Sequence, residues 1–85
     1  MSRDNIILLI EHILNNELEL NVKDLYLDKT LLSLGIDSIS FMTLIVYLED
    51  KLSIEIELID GLSDEYTKIT LDTLVGIIFG KVENL

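Results

Sequence analysis

Ser38 and Asp37 are the residues of this chain whose types and placement could do chemistry. They stand in the segment Leu34-Gly35-Ile36-Asp37-Ser38-Ile39. Gly35 lets the backbone turn tightly, and Asp37 and Ser38 are both good helix N-cap residues. Taken alone, the pair reads as a polar helix start. A catalytic use of the Ser38 hydroxyl would need a base. The single histidine, His12, would have to lie within hydrogen-bond reach of Ser38 to make a Ser-His-acid hydrolase. The chain has no cysteine, which removes disulfides, thiolate metal sites and a protein thiol nucleophile.

Length bounds the rest. Eighty-five residues make one domain, residues 1–85, and a domain this small buries only roughly 60–65% of the surface its unfolded chain exposes. That leaves little interior for a catalytic cleft. Hydrophobic residues are 49% of the chain, too many for disorder. The longest apolar run, residues 6–10, falls far short of the roughly 18 residues of a membrane span. The start of the chain shows no basic segment followed by an apolar block, so no secretory signal is visible and a cytoplasmic location is expected. Six basic residues face 16 acidic ones, for a net charge of −10. Such a chain repels nucleic acid and anionic membrane surfaces. Acidity alone, however, need serve nothing beyond solubility.

The elements that position Ser38 are helical. Proline is absent, no repeat or low-complexity tract occurs, and the sole alternating stretch is Ser53-Ile54-Glu55-Ile56-Glu57. A first helix is predicted over residues 4–16, capped by Ser2 or Asp4, with Ile6, Leu9, Ile10 and Ile13 on one face. Leu8, Glu11, His12 and Asn15 fall opposite, so His12 is expected on the surface. The connection over residues 17–37 carries Leu18, Leu20, Val22, Leu25, Leu27, Leu31, Leu32 and Leu34, which predicts a loop packed across the helices. Thr30 is placed to cap a short turn at residues 31–34, broken by Gly35. The second helix is expected over residues 38–51. A short third helix is expected between residues 58 and 66, with Ile59, Leu62 and Tyr66 on one face. The last helix is expected from a Thr70 cap to about residue 79, burying Leu71, Leu74, Val75 and Ile78 and stopping at Gly80.

The second helix has two apolar stripes. At 100° per residue, Phe41, Leu44, Ile45, Leu48 and Leu52 line one side. Ile39, Met42 and Val46 line nearly the opposite side, with Thr43 and Asp50 among them. A helix at the edge of a small bundle buries one stripe, and the Phe41 stripe is the core candidate. The exposed one would then form a partner surface beside Ser38.

The motif Leu-Gly-Ile-Asp-Ser-Ile, the pattern Phe41…Leu44-Ile45…Leu48-Glu49, Ile54-Glu55-Ile56, and the lead Lys68-Ile69-Thr70 together resemble the acyl carrier protein family over nearly the whole chain. The resemblance implies an all-α, four-helix bundle with a long first loop and a short third helix. It also implies that Ser38, beside Asp37, bears 4′-phosphopantetheine from coenzyme A as a phosphodiester. The physical chemistry agrees, because backbone N–H groups and the helix dipole favour a phosphate at a helix N-terminus. It further implies a carrier of acyl or aminoacyl thioesters, without enzymatic activity of its own. Its partners would be a phosphopantetheinyl transferase and the loading and processing enzymes, met through Ile39, Met42 and Val46 with Asp37, Thr43 and Tyr47 flanking. A monomer is expected.

Two departures refine this. Housekeeping fatty-acid carriers place several acids along the exposed face of the second helix, whereas here Ser40, Thr43 and Tyr47 stand at such positions and acid appears only at Glu49 and Asp50. That points to apolar recognition and to a specialised polyketide, peptide or aminoacyl pathway. The segment at residues 57–68 is also longer than the family's third-helix region, with Glu57 where proline is common. The competing readings are a housekeeping fatty-acid carrier, a helical interaction module without a cofactor, and the Ser38 hydrolase.

Overall fold

The computed structural model describes residues 2–22, 26–56 and 68–83. Among them are three α-helices, α1 (Arg3–His12), α2 (Ser38–Leu52) and α3 (Leu71–Glu83). No strand is present among the described residues; an isolated antiparallel bridge joins Thr30 and Thr70. The expected third helix at residues 58–66 lies outside the described residues, as does Leu25, so the described helices are three rather than four.

Helix α1 begins where Ser2, in extended conformation, accepts the Asn5 N–H on its hydroxyl at 3.2 Å. It buries Ile6 and Ile10 and leaves Leu8 exposed. The expected continuation to residue 16 is helical but wider. Ile13–Glu17 is a π-helical turn, which rotates the chain less per residue. Adjacent Ile13 and Leu14 are thereby both fully buried. The same change corrects Asn15, expected on the solvent face. Its Oδ1 accepts the Val22 N–H at 2.6 Å and its Nδ2 donates to the Val22 carbonyl at 3.0 Å. The side chain thus takes the place of a neighbouring strand and satisfies both backbone groups of Val22. Glu19 and Asn21, both at positive φ, turn the chain between the two partners.

The leucine-rich loop is only partly a core element. Leu31 is fully buried, and Leu18, Leu20, Val22 and Leu34 pack against the core from its margin. Leu27 and Leu32 are exposed, contrary to expectation. What fixes the loop is backbone hydrogen bonding to the start of α3. Leu31 N–H donates to Ile69 O, Leu71 N–H to Lys29 O, and Asp72 N–H to Leu27 O, each at 3.0 Å.

Helix α3 starts as expected. Thr70 Oγ1 accepts the Thr73 N–H at 3.2 Å, and Leu71, Leu74, Val75 and Ile78 are buried. It does not stop at Gly80. The helix continues to Glu83 because Val82, half-buried against the core, rewards another turn. A glycine weakens a helix by about 1 kcal/mol, an amount of the same order as half-burying an aliphatic side chain returns. Helix α3 packs on α1, and Arg3 reaches across to Asp72 at 2.6 Å, an exposed pair worth under about 1 kcal/mol.

Candidate functional site

The site is the loop end that leads into α2. Thr30 Oγ1 accepts the Ser33 N–H at 3.2 Å, as expected for a cap, and a 3₁₀ turn follows at Leu32–Leu34. Gly35 then adopts φ 89°, a left-handed conformation that a Cβ would strain even though space around it is open. This turn sends the Ile36 N–H back to Leu31 O at 3.1 Å. Both Leu31 and Ile36 are fully buried. Two apolar anchors and a glycine hinge therefore hold the two residues that follow.

Those two residues divide the work that the sequence left open. Asp37, extended at φ −80° and ψ −177°, is the N-cap of α2 and accepts the Ser40 N–H on Oδ1 at 2.7 Å. The backbone N–H of Ser40, then its side chain, hold the Asp37 carboxyl below its ordinary pKa, with a smaller contribution from the Ile39 N–H and a slight opposing effect of desolvation. Ser38 is left as the first residue of the helix, exposed, its hydroxyl without a hydrogen bond among the described residues. Such a hydroxyl, at the positive end of a helix dipole, fits an esterifying phosphate.

The two stripes of α2 separate as expected. Phe41, Leu44, Ile45 and Leu48 are at most 1% exposed, and Leu52 packs at the core margin. Ile39, Met42 and Val46 are 77%, 44% and 61% exposed, an apolar strip that begins next to Ser38. Thr43 is half-buried and donates its hydroxyl proton to the Ile39 carbonyl at 2.9 Å. Tyr47 stands apart from that strip. It packs on the core margin, and the charge of Glu17, then a hydrogen bond to it and slight desolvation, push its phenol pKa up.

Of the two acids at the end of α2, Asp50 is exposed. Glu49 is occupied: its Oε2 accepts the Ile56 N–H at 3.0 Å. Sequence reasoning missed this role, and the only signal for it is the seven-residue spacing to a buried isoleucine. His12 is exposed and pairs its Nδ1 with Asn16 Nδ2 at 3.0 Å on the surface of α1. No hydrogen bond joins it to Ser38 among the described residues. Among the described residues there is no group of His, Cys, Asp and Glu side chains able to hold a metal, and no helix long and apolar enough to cross a membrane.

Among the described residues, a set of packed helices that holds an unengaged serine at a helix start, beside an exposed apolar strip, has the build of a carrier. The family model described as phosphopantetheine attachment site matches residues 9–64, and the chain belongs to that family. Its prosthetic group is accordingly 4′-phosphopantetheine, attached covalently, and the protein is a carrier and not an enzyme. The crystal structure of an acyl carrier protein from Thermotoga maritima superposes with a TM-score of 0.82 at 26% identity, over 99% of this chain and 94% of that one. No curated protein matches the chain in sequence. Carriers of this kind interact in general with a phosphopantetheinyl transferase and with acyl-processing enzymes.

Proposed function

We propose that Ser38 bears the phosphopantetheine arm and that the protein presents acyl or aminoacyl thioesters to the enzymes of a specialised, polyketide- or peptide-type pathway. The observation that carries the site assignment is the division of labour at the start of α2. Asp37 takes the cap, so the neighbouring hydroxyl is exposed and available to an enzyme. The arm, when bound, supplies a flexible tether ending in the thiol that the chain itself lacks. For its installation, Ser38 Oγ bonds to the pantetheine-side phosphorus of coenzyme A. The pyrophosphate P–O bond breaks, 3′,5′-adenosine bisphosphate leaves, and the serine proton passes to a base of the transferase.

Ile39, Met42 and Val46, with Thr43 beside them, are the surface offered to transferase and processing enzymes, and Asp37 flanks it at the helix start. The strip is apolar, and Glu49 is turned to the backbone of Ile56. Asp50 thus remains as the free acid among the positions where fatty-acid carriers display several. That supports a specialised partner set. One core cluster joins all three described helices, which supports a single carrier domain over residues 1–85. It would work as a monomer through weak, transient contacts, in the cytoplasm where coenzyme A is available.

The test is intact mass after incubation with coenzyme A and a broad-specificity transferase. Wild type is expected to gain one phosphopantetheine and Ser38→Ala none. No gain on wild type, or an undiminished gain on Ser38→Ala, would sink the assignment and favour a helical interaction module.

A further inference from the structure

We propose that the cleft in the long loop beside the attachment segment seats the far end of a tethered acyl group that terminates in a carboxylate. This rests on the reading of Ser38 as the attachment residue and adds the class of cargo. The cleft has a volume of about 580 Å³, within the range of small-molecule sites. Leu20, Val22, Tyr26 and Leu34 give it apolar walls, and a hydroxyl residue, Ser33, and a cationic one, Lys29, belong to the same lining. The walls suit the methylenes of an acyl chain, and the two polar groups suit an anionic tip.

Charge makes the location selective. The chain carries a net charge of −10, so a carboxylate-tipped cargo is repelled over most of its surface. A second depression, of about 450 Å³, is lined by Asp28 and Asp72 with Leu27 and Thr70, and has no cation among its described lining residues. The first cleft has Lys29 and no acid among its described lining residues, and Lys29 forms no ion pair among the described residues. Ser33 Oγ, 2.8 Å from Thr30 Oγ1, retains further hydrogen-bonding capacity for a carboxylate oxygen.

Reach permits it. Leu34 precedes Ser38 by four residues, at most about 14 Å of extended chain, and the left-handed turn at Gly35 shortens the path. An arm made of a phosphate, two amide units and a cysteamine is longer than four residues of backbone. One exposed ion pair is weak, but tethering sets a local concentration on the order of millimolar. A weak contact is then enough to bias where the cargo lies.

The experiment uses the full chain, ¹⁵N-labelled and loaded by a transferase from succinyl-coenzyme A or from 4-methylpentanoyl-coenzyme A, whose acyl group has the same shape without the charge. Intact mass establishes loading, and amide shifts of Val22, Lys29, Ser33 and Leu34 are read against the unloaded protein. The succinyl form is expected to shift these amides and the neutral form to leave them in place. The difference is expected to persist in Lys29→Arg, to vanish in Lys29→Ala, and to fade in wild type as ionic strength rises. Equal shifts with both cargos, shifts that survive Lys29→Ala, or shifts indifferent to salt would overturn the proposal while leaving the carrier reading intact. No mass gain would overturn the carrier reading, and the cleft proposal with it.

Discussion

Glu49 Oε2 accepts the backbone N–H of Ile56 at 3.0 Å, closing a loop from the last turn of α2 onto the chain that leaves it. Ser53, left-handed at φ 54°, ends the helix, and Ile54 and Ile56 then turn into the core. An acid at a position that invites comparison with a recognition face therefore holds the fold together. Replacing Glu49 by Ala leaves a partly buried N–H unsatisfied. The expected loss is about 1 kcal/mol, read as a lower denaturant midpoint. Glu49→Gln, which keeps an acceptor, is expected to lose less. Loading of the folded variants by a transferase is expected to match wild type. A fall in loading at unchanged stability would return Glu49 to the partner surface.

The two faces of α2 predict opposite outcomes for side chains six residues apart. Leu48 is fully buried and Met42 is 44% exposed. Leu48→Ala is expected to cost about 2–5 kcal/mol through lost burial and a residual cavity. Met42→Ala is expected to cost under about 1 kcal/mol while weakening transferase encounter. Equal losses in a urea titration would mean that the exposed strip is part of the core.

The pH dependence of the cap has a definite sign. Asp37 has a folded pKa below its ordinary 3.8. Its contribution to stability is therefore fully present above the unfolded value and disappears as pH falls through the folded one. Asp37→Asn keeps a capping oxygen but removes the titration. Wild type is expected to be the more stable of the two at pH 7, with the gap closing below pH about 4. Thermal midpoints of both proteins across that range measure it, and a gap that widens in acid would refute the assignment.

What the sequence revealed follows from how local each feature is. The buried faces of α2 and α3 are periodic patterns of side chains, and periodicity is a property of the chain itself. Phe41, Leu44, Ile45 and Leu48 could be assigned inward for that reason, as could Leu71, Leu74, Val75 and Ile78. The same holds for the Thr70 cap and the turn at Gly35. Asp37 and Ser38 were equivalent as caps on paper; a choice between them depends on backbone angles set by the Leu31 and Ile36 anchors. Features that depend on a distant partner were hidden. Leu14 is buried because a π turn changes the phase of the first helix. Asn15 faces inward because Val22 returns to meet it. The helix runs past Gly80 because Val82 finds core to touch. Leu27 and Leu32 had the composition of core residues, and their exposure was decided by which backbone groups the loop gives to α3.

That last attachment has a kinetic side. Thr30 and Thr70 pair across forty positions of sequence, and a closure that long spends chain entropy before contacts repay it. The loop that leads into Asp37 and Ser38 is therefore braced by backbone bonds that only a docked α3 can supply. In a growing or partly unfolded chain, Asp37 and Ser38 would be present but not yet poised. If Ser38 is the attachment residue, its presentation to a transferase is thus coupled to the docking of α3.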